Sequence, residues 1–279
     1  YQAGYSNTTG TQNQAFGVQA LYTNTTGSNN VALGYQPLYT NNGDANIGIG
    51  YRAMYSNSSG SLNVAIGQSA LQANTTASAN TAIGYQAGYS NTANSGVTAV
   101  GYQALYSNTT GVQNTGMGIY SLQANTTGSY NTAFGREALY SNTTASANTA
   151  VGYQAGYTGT TADSNAFFGA YAGYSGTTGG GHVAVGYESL KAITATTFNV
   201  GVGYRAGLSI TTGANNTAIG ADSLRSNTTA SNNTAVGYQA GYSNTTGTQN
   251  QAFGVQALYT NTTGSNNVAL GYQPLYTNN

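Results

Sequence analysis

The chain has 279 residues, only 4% of them charged, with five Lys or Arg balanced by five Asp or Glu. So neutral a surface lacks the electrostatic footprint needed to bind nucleic acid or an anionic membrane, and the absence of cysteine excludes a disulfide framework and thiolate metal sites. No apolar run approaches the roughly 18 residues of a membrane-spanning helix.

Taken in order, the chain is one motif repeated. The pentad Asn13-Gln14-Ala15-Phe16-Gly17 returns in variants such as Asn233-Thr234-Ala235-Val236-Gly237, each ending on an anchor glycine. The anchors are Gly17, Gly34, Gly50, Gly67, Gly84, Gly101, Gly118, Gly135, Gly152, Gly169, Gly186, Gly203, Gly220, Gly237, Gly254 and Gly271, every step being 17 residues except the 16 from Gly34 to Gly50. A fixed short period means one supersecondary unit stacked on its own copies. The expected fold is therefore all-β, a parallel β-solenoid or β-roll of about 16 rungs. Residues 1–42 are identical to residues 238–279, so residues 1–279 are expected to be one continuous array, a segment of a longer chain built on a fourteen-rung super-repeat.

Positions are numbered here from the anchor glycine. Position −1 is Phe16, Leu33, Ile49, Ile66, Ile83, Val100, Met117, Phe134, Val151, Phe168, Val185, Val202, Ile219, Val236, Phe253 and Leu270. It is never polar, which predicts an interior site. Positions −2 and +3 are small, Phe167 excepted, and predict close backbone approach; +4, Leu, Met or Gly, predicts a second inward site where glycine leaves room for a neighbouring side chain. The β-branched content of −3 to −1 predicts one short strand per rung, closed by the glycine. The next segment, as in Tyr85-Gln86-Ala87-Gly88-Tyr89, reads equally as a second strand or a helical turn. Positions +7 to +12 carry turn residues, as in Asn108-Thr109-Thr110-Gly111, and form the loop. Arg52, Glu137, Glu188, Arg205 and Asp222 at +2, with Lys191 and Arg225 at +5, predict that both positions face solvent at least in those rungs.

Asparagine recurs at −4, broken by Val97 and His182, and at +7, broken by Gly159, Gly176, Ile193 and Ile210. Stacked asparagines about 4.8 Å apart can hydrogen-bond amide to amide, so both columns read as structural ladders. Ten loops also match the N-x-[ST] glycosylation pattern, at Asn7, Asn24, Asn57, Asn74, Asn108, Asn125, Asn142, Asn227, Asn244 and Asn261. Asn, Thr and Gly make good turns, which is the preferred account of the match; the sharper alternative is a glycan sheath on Asn or Thr that would solubilise an uncharged rod.

The units Asn80-Thr81-Ala82-Ile83-Gly84 and His182-Val183-Ala184-Val185-Gly186 resemble the S-V-A-I-G head repeat of the YadA-like trimeric autotransporter adhesins. The averaged rung is also similar to NTAIGYQA-type repeats of phage tail fibres and giant bacterial surface proteins. The resemblance spans the whole chain and implies a left-handed β-roll that trimerises, although the rung here is longer and rich in tyrosine.

No catalytic constellation appears: the single histidine, His182, stands in a ladder position, and Asp44, Glu137, Asp163, Glu188 and Asp222 lie in different rungs. No catalytic, cofactor-binding or metal-binding residue is therefore expected, and no enzyme activity. The expected role is a structural subunit of an extracellular fibre or surface appendage, self-associating through tyrosine-rich faces as a trimer or as lateral filaments. The alternative is a carbohydrate-binding adhesin or phage tail-fibre shaft recognising polysaccharide. A cell-surface, extracellular or virion location follows from either. Ice binding is a weaker idea, because the paired threonines fall in loops.

Overall fold

The structure, a computed structural model, describes residues 1–277. It is all-β, with no helix among the described residues, and carries one three-residue strand per rung. Backbone packing divides the chain into Tyr1–Thr144 and Ala145–Asn279. The first unit stacks eight strands, from Gln14–Phe16 to Thr132–Phe134, and the second stacks eight, from Thr149–Val151 to Val268–Leu270. Within each unit neighbours pair in parallel and in exact repeat register, as in Thr81↔Thr98, Ala82↔Ala99 and Ile83↔Val100. The parallel β-solenoid of 17-residue rungs expected from the period is what each unit forms.

Each anchor glycine has a structural reason. Gly50 sits at φ 128°, and a Cβ there would lie 2.7 Å from the Gly67 carbonyl oxygen of the next rung. Any side chain meets both a disfavoured backbone and a backbone clash.

The segment after the glycine is neither a second strand nor a helical turn. It is a run of turns in which +2 and +4 take left-handed φ, for example Ser69 at 58° and Leu71 at 47°. Alternating handedness turns successive peptide planes toward opposite neighbours. Gln86 N–H donates to Gln68 O in the preceding rung (2.9 Å), and Gly88 N–H donates to Ala104 O in the following one (2.9 Å). The segment thus bonds like a strand while coiling like a turn, and these bonds offset the roughly 1–2 kcal/mol that each left-handed non-glycine residue costs.

The interior is the reverse of the one expected at −1. The strand burial pattern places −2 inside, with Ala32, Ala65 and Ala82 fully buried, and turns −3 and −1 outward. Phe16, Leu33, Ile49, Ile66, Ile83, Val100, Met117, Phe134, Val151, Phe168, Val185, Val202, Ile219 and Val236 are therefore surface residues rather than core. Adjacent strand residues point to opposite faces, so −2 and −1 cannot both be interior. Room decides between them: beside a +4 leucine, position −2 holds no more than a methyl, as at Ala82, and at Gly48 even a Cβ would meet Leu38 Cγ at 2.9 Å. The large core residues are instead at +4, where Leu21, Leu38, Met54, Leu71, Leu105 and Leu122 are almost wholly buried. The expected vacancy at glycine copies of +4 is real: a Cβ at Gly88 would lie 3.0 Å from Leu71 Cδ2 and one at Gly241 2.8 Å from Leu224 Cδ2.

Candidate functional site

The outward strand residues −3 and −1, with +1 beyond the glycine, form three parallel columns in each unit. In the first unit Phe16, Leu33 and Phe134 are 62%, 48% and 39% exposed; in the second Phe168, Val185 and Ile219 are likewise exposed. Tyrosine occupies much of +1, and Tyr35, Tyr51, Tyr102, Tyr187 and Tyr204 are exposed. No −3 or −1 residue carries a charge, and Arg136 is the only charged residue at +1. An apolar position repeated sixteen times without exception, yet exposed or half-exposed in every rung, is the least ordinary feature of the molecule.

The opposite side of the rung is laced by ladders. Most +7 asparagines close their own turn and reach the previous rung: Asn125 Nδ2 donates to Gly128 O at 2.9 Å and to Asn108 Oδ1 at 2.7 Å. The shortened rung keeps this arrangement, with Asn41 Nδ2 reaching Gly43 O two residues on at 2.8 Å. In the −4 column the side-chain oxygen accepts the next rung's backbone N–H, as Asn46 Oδ1 does from Asn63 at 3.0 Å. This geometry speaks against the glycan acceptors. Asn24, Asn57, Asn74, Asn108, Asn125, Asn142, Asn227, Asn244 and Asn261 are buried, and the amide nitrogen that a glycan would occupy points into the ladder; Asn7, in the first rung, is exposed but donates to Gly10 O at 2.8 Å.

His182 replaces a −4 asparagine atom for atom. It is 1% exposed, its Nε2 lies 2.9 Å from Thr196 O where an asparagine Nδ2 would donate, and its Nδ1 accepts the Asn199 N–H at 3.2 Å where an asparagine Oδ1 would accept. That pattern requires the neutral imidazole, and burial lowers its pKa from 6.5. Among the described residues no group of His, Asp or Glu is placed to hold a metal ion.

Position +2 is a further ladder that the charges disguised. Gln36 Nε2 donates to Gln19 Oε1 (2.7 Å) and Gln103 Nε2 to Gln86 Oε1 (2.7 Å). Charged residues at +2 are accordingly held in pairs rather than simply solvated. Glu188 accepts from Lys191 Nζ at 2.6 Å and Arg205 Nε at 2.9 Å, with 11% of its side chain exposed. Burial pushes its carboxyl upward, but the hydrogen bonds and charges of Lys191 and Arg205 outweigh it and hold the pKa below the usual range. Arg225 and Asp222 pair at 3.5 Å one rung further on. The signal for this column was the recurrent glutamine at +2.

At +5 the tyrosines stack ring on ring, as Tyr22, Tyr39 and Tyr55 do, with centroids 5.1 and 4.9 Å apart. Their faces are occupied by one another, leaving edges and hydroxyls outward.

Neither a scan against protein-family models nor a search of curated proteins finds a match to the chain.

Proposed function

We propose that the chain is a structural shaft element of an extracellular fibre or surface appendage, and that copies associate side by side through the −3, −1 and +1 columns. One observation carries this reading: position −1 is apolar in all sixteen rungs and buried in none. The fourteen distinct rungs of the super-repeat act as repeated trials, and an exposed site free to vary would have admitted polar residues, as the loops do. A stripe repeating every rung, about 4.8 Å, is matched along its length only by a partner of the same period, which is another copy of this chain. Each side chain fully covered stabilises such a contact by about 1.5–3 kcal/mol, so many modest contacts sum to a firm interface. The polar ladders supply the other requirement of a shaft, since length follows from repeat number when every rung satisfies its neighbour.

The polysaccharide reading has less support, because sugars pack on exposed aromatic faces and the +5 rings cover each other's faces.

Light scattering and electron microscopy of the purified chain test the proposal. Defined oligomers or laterally associated rods are expected at micromolar concentration. Leu33→Lys, Ile83→Lys and Phe134→Lys together should return the protein to monomer with its β spectrum intact, whereas Thr76→Lys on the exposed loop should not. A parent chain that is monodisperse and monomeric under these conditions overturns it.

A further inference from the structure

We infer that the stacked +5 tyrosines are sites of oxidative cross-linking, by which neighbouring rungs become joined through dityrosine bonds within one chain. The chain holds 25 tyrosines but no cysteine and no tryptophan, and of its two methionines Met54 is fully buried. Oxidising equivalents that reach the surface therefore end chiefly on phenols. The fold arranges those phenols in runs: Tyr5, Tyr22, Tyr39 and Tyr55 stack consecutively with centroids 5.4, 5.1 and 4.9 Å apart and interplanar angles of 10°, 13° and 12°. In the second unit Tyr157 stacks on Tyr174 at 5.1 Å, and Tyr242 on Tyr259 at the same distance. Parallel, in-register stacking sets like atoms of successive rings above one another, so each ring's ortho carbon has a counterpart one rung away. The half-buried rings keep an outer edge in solvent, which lets them tilt about their terminal torsion until the two ortho carbons meet.

The chemistry is a two-electron oxidation. Each of two phenols gives one electron and one proton to become a phenoxyl radical. The radicals join ortho carbon to ortho carbon, and the two ring hydrogens shift to the oxygens as aromaticity returns. The net change is loss of two protons to solvent and two electrons to a diffusible one-electron oxidant. Because the stack positions both partners before oxidation, coupling within the chain outruns encounter between chains. The product clamps one rung to the next, independently of whether copies associate.

The test oxidises the full chain at low concentration with a photo-excited ruthenium tris-bipyridyl complex and persulfate, which accepts the electrons and leaves as sulfate. Expected are dityrosine fluorescence, loss of two hydrogen masses per link without a chain dimer, and linked peptides mapping to Tyr22–Tyr39, Tyr39–Tyr55 and Tyr242–Tyr259. Tyr1 and Tyr130 supply the contrast, being 83% and 60% exposed yet standing against no other ring among the described residues. Tyr39→Phe should abolish the Tyr22–Tyr39 and Tyr39–Tyr55 links and leave Tyr242–Tyr259 unchanged. Links that follow exposure, with Tyr1 and Tyr130 foremost, overturn the inference. So does oxidation of the folded chain that yields only cross-links between chains.

Discussion

The Phe167 ring occupies the space above Gly173: a Cβ built on that glycine would lie 2.6 Å from Phe167 Cδ1 and Cζ. Phe167 is the one large residue at −2 and is 3% exposed, while Gly173 is the +4 residue of the same rung. The pair exchanges the usual arrangement, small at −2 and large at +4, for its inverse at conserved interior volume. Phe167→Ala should cost about 3–5 kcal/mol through the cavity it leaves. Gly173→Leu should cost about 1–3 kcal/mol by overpacking. The double variant rebuilds an ordinary rung and should recover most of the loss, and a denaturant double-mutant cycle giving additive costs would refute the packing argument.

An anchor glycine should be intolerant even of alanine. Gly118 has φ 136°, and a Cβ there falls 2.5 Å from the Gly135 carbonyl oxygen. Gly118→Ala should destabilise by about 3 kcal/mol or more, well beyond a turn glycine without such a neighbour. Gly4 is the comparison: its φ is 60° but nothing lies within 4 Å of a Cβ there, so its alanine variant should show only the roughly 1–2 kcal/mol of a left-handed residue in thermal denaturation.

Acid should loosen the rung that holds His182. Burial places its folded pKa below the unfolded value of 6.5. Between the two values the unfolded chain binds a proton that the folded chain does not, so stability rises with pH through that window. The contribution is complete above about 6.5 and is lost as pH falls toward the lowered folded value. Its hydrogen-bond partners Asn165, Thr196 and Asn199 do not titrate, so the effect belongs to the imidazole. His182→Asn restores the common ladder residue and should flatten this part of the stability profile. An unchanged profile in the variant would assign the acid sensitivity to the carboxylates.

The asparagine ladder should reject aspartate. In Asn125→Asp an acceptor oxygen replaces the nitrogen that now donates to Gly128 O and Asn108 Oδ1. Burying a charge against acceptors should cost about 2–4 kcal/mol, against roughly 1–3 for Asn125→Ala, which only leaves them unpaired. Urea midpoints that rank the two variants the other way would show that the column tolerates charge. In a host that attaches N-linked glycans, intact mass of the folded chain should equal that of the bare polypeptide.

Much of the rung was legible because sixteen internal copies average out local ambiguity. Asparagine at −4 and +7 announced ladders, and glycine at +4 announced neighbouring leucines, since each substitution pattern reflects a steric or hydrogen-bonding rule that one rung already obeys. The candidate face was not legible in the same way. Apolar constancy at Phe16, Leu33 and their equivalents says that water is unwelcome there, but it is equally consistent with a core and with a surface awaiting a partner. The glutamine column was hidden because Arg52, Glu188 and Arg205 at the same position suggested solvent, whereas their charges are held by ladder and ion-pair partners.

By itself the sequence determined the period, the strand at −3 to −1, the obligatory glycine and the parallel stack, all of which follow from repetition and local stereochemistry. Only the tertiary structure decided which strand face looks inward. That choice turns on the room left inside the rung: where a +4 leucine such as Leu38 fills the interior, −2 is held to alanine or glycine, Phe167 standing inside only where +4 is Gly173, and the large apolar residue beside −2 faces the surface.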